Sequence, residues 1–564
     1  MTASTRRPWR ALAAALVGIL LLAGCAGIPT SGPVGTQRID SGEGGDVVIP
    51  LPLGPQAGDS PQELLLGFLR AQRDPRGDFQ IARSFLTEEF RTIWRPTSIV
   101  RVSDTPIAPV EVDEDSYRLP VRVDALVNAA GNYADLADPQ PEDLPYEFSL
   151  AADGEWRISA APEGTLLPSR PFTSAFIASP LYFFDPSGKY LVPDVRWFPD
   201  TNSRADRIVT EMLAGQSDWY AQPVLITAFP AGTELGSVHS ISAGVTTVDL
   251  VGDIAAQSTD AKRRMQQQLT ASLATVTDSS GVELTVGGFP VDVGEGPAAD
   301  SVLPVTAKAL GLADDSFGFL SPTSVERLPG LSAGVEALSP LGATLAREDA
   351  AATDRVAVRA ADGVWLVRSD ADPLRVDQRD GLIDPGIDDL GYVWSVPSGS
   401  PASIIAFAED GTAHSVPAPY LDGTIRSLDV SRDGARLLVA TQTASGPAVW
   451  MIGIIRDADG VPTNLGVPLP IAVGSSAILD AAWVDASTIA TLSGSGGDEA
   501  AVDVYRIGGR HEQFGTVTSG VQVVGGNTAD GIRVRDADGG VWRRTSSGGW
   551  QDTGIVASFL GTQQ

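Results

Sequence analysis

The sequence predicts a lipid-anchored, multidomain chain of the α+β plus all-β class: two α+β units, then a propeller-like run of short antiparallel strands. Three observations carry this. The only cysteine, Cys25, closes the only long apolar run. Amphipathic helical periodicity is confined to a few segments before residue 280. After about Asp300, Asp-Gly turns between short strands, several bearing Trp, replace it.

The N-terminus has signal-peptide anatomy. Arg6, Arg7 and Arg10 form a positive region, and Ala11 to Ala23 an apolar run of 13 residues. A membrane-spanning helix needs about 20 residues, so the run is too short to cross. Leu22-Ala23-Gly24-Cys25 reads as a lipobox. A thiol is the nucleophile that accepts diacylglycerol, and small residues before it let the backbone enter a narrow protease site. Residues 1–24 would then be removed, and Cys25 would become an N-palmitoyl, S-diacylglycerol cysteine. Each buried methylene contributes about 0.8 kcal/mol, and two chains hold where one barely does. Ordinary secretory cleavage after Ala26 and an uncleaved anchor are the alternatives.

Composition narrows the function classes. Forty basic residues face 70 acidic ones, net −30. That argues against nucleic-acid binding and against a polybasic grip on anionic lipid, both of which need a positive surface. With Cys25 modified no thiol remains, so stability must come from packing rather than disulfides. Hydrophobic content of 43% suffices for a sizeable core.

Residues 25–59 read as a flexible tether rich in Gly, Pro and Ser. The first α+β unit is expected over 60–165. Ser60 is a candidate N-cap, Pro61 fits the first helical position and Glu63 completes a capping box. Leu64, Leu65, Phe68 and Leu69 form the inward face. A second helix is expected from Asp78 to about Trp94, with Phe79, Ala82, Phe85 and Leu86 inward. Strands follow at Tyr117 to Val127 and Tyr146 to Leu150, with a turn at Asp153-Gly154 into Trp156 to Ile158. Two helices before an antiparallel sheet suggest a cone-shaped, NTF2-like domain.

The second unit is expected over 175–300. Leu181 to Phe184 and Tyr190 to Arg196 read as a hairpin, and Arg204 to Ala214 as a short helix. Gly244 to Leu250 and Val282 to Val286 read as strands, separated by a helix from Thr259 to about Val276. Met265, Leu269, Leu273 and Val276 share its inward face. From 315 to 564, four hairpins turn at Asp362-Gly363, Asp410-Gly411, Asp433-Gly434 and Asp538-Gly539. A recurrence of roughly 40 to 60 residues suggests a β-propeller of five or six blades, with a two-sheet sandwich as runner-up.

No constellation carries catalysis. His239, His414 and His511 lack metal-ligand spacing. Gly330-Leu331-Ser332-Ala333-Gly334 matches a nucleophile elbow, which needs a strand before it and a helix after. Here Leu328-Pro329 precedes it and Val335 to Leu338 reads as strand, so a turn opening the first blade is expected. Asp457-Ala458-Asp459-Gly460 and Asp536-Ala537-Asp538-Gly539 start like calcium loops but lack the later ligands. Trp365, Trp394, Trp483 and Trp542 would be blade core or, alternatively, the lining of a ligand site. No catalytic residue, metal site or cofactor is expected.

These segments together resemble the LpqB family of actinobacterial lipoproteins. Cys25-Ala26-Gly27-Ile28-Pro29-Thr30-Ser31-Gly32-Pro33-Val34 is similar to the family's start after the lipid cysteine. Pro61-Gln62-Glu63 through Gly67-Phe68-Leu69 is similar to the opening of its first domain. Tyr182-Phe183, Leu191-Val192-Pro193, Leu213-Ala214-Gly215, Pro230-Ala231-Gly232-Thr233 and Val245 to Leu250 resemble a GerMN module. The resemblance implies a non-enzymatic lipoprotein on the outer face of the cytoplasmic membrane. It further implies binding to the extracytoplasmic domain of a sensor histidine kinase of the MtrA–MtrB type, which controls cell-wall homeostasis and cell division. The residues themselves leave open an envelope receptor for a wall fragment or sugar, and an envelope-polymer hydrolase.

Overall fold

The computed structural model describes residues 52–220, 224–241, 245–276, 281–346, 355–473, 476–494 and 499–564. Cys25, the signal segment and most of the expected tether lie outside them.

Helix α1 (Pro61–Ala71) begins with the expected capping box. The Ser60 hydroxyl accepts the Glu63 N–H, and the Glu63 carboxylate accepts the Ser60 N–H at 2.9 Å. Leu64, Leu65, Phe68 and Leu69 are buried. The single helix expected over 78–94 is instead two, α2 (Arg76–Arg83) and α3 (Glu88–Ile93). The break has a cause in the sheet. Phe85 C=O accepts the Ile158 N–H and Thr87 N–H donates to Ile158 C=O, both at 2.9 Å. The Thr87 hydroxyl then caps α3 by accepting the Phe90 N–H.

The first sheet contains β1 (Ile99–Val102), β2 (Val110–Asp113), β3 (Ser116–Asn128), β4 (Tyr133–Leu150), β5 (Trp156–Ala160) and β6 (Thr165–Leu167). Their order is β5-β4-β3-β1-β6, with β2 paired to β3. Helix α4 (Ser169–Ala175) adds Phe172 to a core that holds Phe68, Phe79 and Trp94.

The second unit opens with a long hairpin, β7 (Phe176–Phe184) and β8 (Leu191–Pro199), in continuous register from Phe176–Pro199 to Phe184–Leu191. Helix α5 (Arg204–Ala214) follows over the expected residues. Then come β9 (Glu234–Ile241), β10 (Val245–Val251), α6 (Thr259–Leu273), β11 (Gly281–Val286) and β12 (Phe289–Pro290), in sheet order β12-β11-β10-β9. Strands β10 and β11 are parallel, so α6 is the crossover between them. Its Met265, Leu269 and Leu273 are fully buried, as its periodicity requires, but the helix ends at Leu273, and the expected inward Val276 lies beyond it and is only partly buried.

The last unit is a propeller. Among the described residues, six four-stranded sheets have innermost strands Phe559–Gln563, Gly342–Leu345, Gly386–Ile387, Thr424–Val430, Ile478–Trp483 and Gly520–Val524. In blade 4 the outermost place is shared by Pro462–Leu465 and Leu469–Val473. Each innermost strand neighbours the next, and the last neighbours the first, so the sheets form a closed ring rather than a sandwich. The C-terminal strand closes it. Phe559–Gln563 runs antiparallel to Ala309–Ala313 in blade 1 and touches blade 2 in parallel. All four predicted hairpins are present.

Inward polar side chains stitch the ring. Asp429 accepts the Trp483 N–H at 3.1 Å, Asp480 the Val523 N–H at 2.9 Å and Gln522 the Leu560 N–H at 2.9 Å. Gln564 accepts the Ile387 N–H at 2.8 Å, and Thr344 donates to Pro385 C=O at 2.7 Å. Each bond joins one blade to another, so these side chains serve closure of the ring.

Candidate functional site

The sequence motifs with catalytic outlines are consumed by the fold. Ser332 is buried; its hydroxyl donates to Phe317 C=O at 2.7 Å and accepts the Leu328 N–H at 2.8 Å. The segment after it is a short helix, α7 (Ser332–Ala337), and not the expected strand. Leu338, at its C-cap, keeps helical backbone geometry. Ser332 therefore clamps the start of a helix between blades 1 and 2. Asp457 accepts the N–H groups of Asp459 and Val461, and Asp536 those of Asp538 and Gly540. Both carboxylates cap their own hairpin turns. The three histidines lie on separate sheets, and no group of three metal-ligating side chains is found among the described residues.

The tryptophans are fasteners. Trp394 is fully buried and donates to Asp388 at 2.9 Å; Trp542 donates to Asp536 at 2.7 Å, and Trp365 to Asp362 at 3.0 Å. Trp483 is buried, with its indole N–H toward Asp429 C=O at 3.3 Å.

What the structure brings together instead is a junction of all three units around Trp197 on β8. Its indole N–H donates to Gly508 C=O in blade 5 at 2.6 Å. Its backbone N–H donates to Gly131 C=O of the first unit at 2.8 Å. Its ring packs 4.8 Å from Phe172. Beside it, Asp194 and Arg196 are buried as an ion pair at 2.9 Å. Asp194 also accepts both the N–H and the hydroxyl of Ser217. His511 of blade 5 approaches Asp135 of the first unit at 3.6 Å; that carboxylate raises the imidazole pKa.

Blade 4 forms the deeper seam. Arg436 is fully buried, ion-paired to Asp433, with its guanidinium 4.8 Å from the Trp483 ring. Ala435 and Ile455 of this blade pack into the second unit's core beside Tyr220 and Val224. At the neighbouring loop of blade 3, burial and then the adjacent Asp388 push the Asp389 carboxyl up to about 7.

The segment leaving the second unit is strapped over the same end of the propeller. Val305 N–H donates to Asn527 Oδ1 and Asn527 Nδ2 donates back to Val305 C=O, each at 2.7 Å. Arg432 holds Leu303 C=O at 3.2 Å, and Gln563 bonds Thr306 through both amide atoms. Sequence reasoning missed the junction and the strap because their defining partners are remote, 311 positions for Trp197–Gly508 and 222 for Val305–Asn527. The isolated Trp197 and the buried-pair candidates Asp433 and Arg436 were the available signals. Electrostatically the junction stores paired, desolvated charge in Asp194–Arg196 and Asp433–Arg436. No described helix is long and apolar enough to cross a membrane.

Comparison with known proteins matches this order of units. Residues 54–173 match the model "Lipoprotein LpqB, N-terminal domain". Residues 180–292 match the Germane model, described as "Sporulation and spore germination", and 319–557 match "Lipoprotein LpqB beta-propeller domain". The chain is similar to the Lipoprotein LpqB of Thermobifida fusca, 27% identical over 94% of this chain and 96% of the relative. It is similar to that of Cutibacterium acnes, 25% identical over 96% and 98%. Among solved structures, the first GerMN domain of the Bacillus subtilis sporulation protein GerM is 20% identical over 23% of this chain and 94% of its own. Its TM-score of 0.18 gives that superposition no weight here. Matched in three consecutive segments and along nearly its whole length, the chain belongs to the LpqB family of lipoproteins.

Proposed function

We propose that the chain is a non-enzymatic envelope lipoprotein, anchored through lipid on Cys25 to the outer face of the cytoplasmic membrane. In this reading it binds the extracytoplasmic domain of a sensor histidine kinase and modulates it. The first unit would span 60–165, the second 175–300 and the propeller 315–564, after a tether at 25–59.

The observation that carries the reading is the junction at Trp197, which joins three units into one scaffold. Such a scaffold presents surfaces at fixed separations, which suits a protein partner. The candidate nucleophile and the Asp loops are engaged in structural hydrogen bonds, and the four tryptophans in packing and hairpin contacts, which removes support from the hydrolase and aromatic-receptor alternatives. The choice of a kinase as partner comes from the family resemblance.

The test is binding of the purified intact chain, in detergent micelles, to a purified sensor domain. Saturable binding is expected. Its absence up to about 100 µM, roughly −5.5 kcal/mol, counts against direct regulation. The intact chain is required, because a cut near residue 300 would sever Trp197 from Gly508.

A further inference from the structure

The first unit leaves one strand of its sheet open. Strand β2 pairs with β3 alone, Val110 opposite Arg118 and Glu111 opposite Tyr117. All four of its residues are exposed, Val110 and Val112 each to about half. Val110 lies on the sheet face of Arg118 and Pro120, opposite the buried Tyr117 and Leu119; the register then shifts, so that Asp113 stands opposite Ser116 and Val112 is the unpaired residue of a bulge. The same face carries a groove of about 500 Å³ walled by Pro106, Ala108, Pro120 and Pro141. Arg122, Glu142 and Asp143 also line the groove, so a face of mixed apolar and charged side chains adjoins the open edge.

Proteins blunt such an edge with short strands, charged side chains, bulges, proline or a cover, and β2 is short, bulged and acidic. Here the strand reads Val110-Glu111-Val112-Asp113, with Glu114 and Asp115 in the following turn. Four carboxylates in six residues disfavour pairing with a second copy of the same edge, since like charges would face each other. They favour a strand of opposite charge. We infer that β2 and the adjoining groove are a docking site for an extended, basic segment of a partner protein, which adds to the sheet as a strand. Main-chain hydrogen bonds supply the pairing. Apolar side chains of the partner lie over Val110, and its basic ones meet the carboxylates of Glu111 and Asp113. The inference deepens the proposed protein-binding role and rests on it for the partner's class.

The experiment is hydrogen exchange on the intact chain in detergent micelles, with two ten-residue blocked peptides, one alternating Lys and Val, the other Glu and Val. The Lys-Val peptide is expected to slow exchange about tenfold across 109–114, and the Glu-Val peptide to leave it unchanged. Glu111→Lys with Asp113→Lys should reverse that preference; Val110→Thr, which keeps strand propensity, should weaken protection. Thermal melting checks that each variant folds. Equal protection by both peptides, protection only elsewhere, or protection that rises with protein concentration alone overturns the inference. A sensor-domain arm separates the two readings. If the intact chain binds the domain and charge reversal leaves binding unchanged, the edge is not that partner's dock. If the domain never binds but Lys-Val protection persists, the kinase reading fails and the edge stands.

Discussion

The indole N–H of Trp197 reaches the carbonyl oxygen of Gly508 at 2.6 Å across 311 positions of sequence. Gly508 sits at φ +67, and a Cβ there would lie 2.5 Å from the Val195 carbonyl oxygen. Both facts demand glycine. Gly508→Ala is expected to destabilise the chain by about 2 kcal/mol or more, from left-handed strain plus displacement of β8. Trp197→Phe keeps much of the packing, loses the hydrogen bond and should cost about 1–2 kcal/mol. Urea denaturation followed by tryptophan fluorescence measures both, and a neutral Gly508→Ala would contradict the junction's geometry.

Arg436 and Asp433 are a buried pair at the blade 4 seam. Removing one partner strands the other charge, so Arg436→Ala should cost about 3–5 kcal/mol. The double replacement Arg436→Met with Asp433→Leu should be markedly milder than the sum of the single changes. A double-mutant cycle on unfolding free energies decides it.

Four carboxyls titrate high in the fold, Asp503 among them. Burial pushes Asp429 up to about 8 and Asp480 and Asp389 up to about 7. Each is therefore favoured protonated in the folded state, relative to an unfolded value near 3.8. Their stabilising contribution is complete below that value and is lost as pH rises through 7 to 8. The His511–Asp135 contact weakens in the same direction, because His511 loses its charge as pH rises. The melting temperature should fall between about pH 4 and pH 8. Asp429→Asn, whose amide oxygen can still accept the Trp483 N–H, should flatten that fall. A melting temperature that rises over the window would contradict it.

Asn527 grips Val305 through both ends of its amide. Asn527→Ala should free the strap and speed proteolysis within residues 301–308. Asn527→Asp retains the acceptor but loses the donor, and should fall between. Unchanged cleavage in the alanine variant would show that Arg432 and Gln563 hold the strap alone.

Cys25→Ala should abolish lipid labelling and leave the precursor uncleaved, read by metabolic labelling and mass spectrometry. Normal labelling would remove the lipobox reading.

Local physics made much of this chain legible. The Ser60–Glu63 capping box, the α5 bounds, the buried stripe of α6 and the four Asp-Gly hairpins all follow from short-range spacing, and all are present. The helix over 78–94 was misread because its interruption is imposed by Ile158, a strand residue far along the chain. The blade count was open because the first blade's inner strand is supplied by the C-terminus, which no periodicity announces. Ser332 had the right neighbours for a nucleophile, and only its partners Phe317 and Leu328 show it to be a clamp.

The sequence by itself determined the class of each unit, their order and the lack of a disulfide or metal-ligand pattern, since these depend on composition and on contacts within a few residues. The tertiary structure decided ring closure, the Trp197 junction, the Arg436–Asp433 seam and the open edge at β2. These depend on which distant surfaces meet, and burial, not local propensity, selects among such pairings.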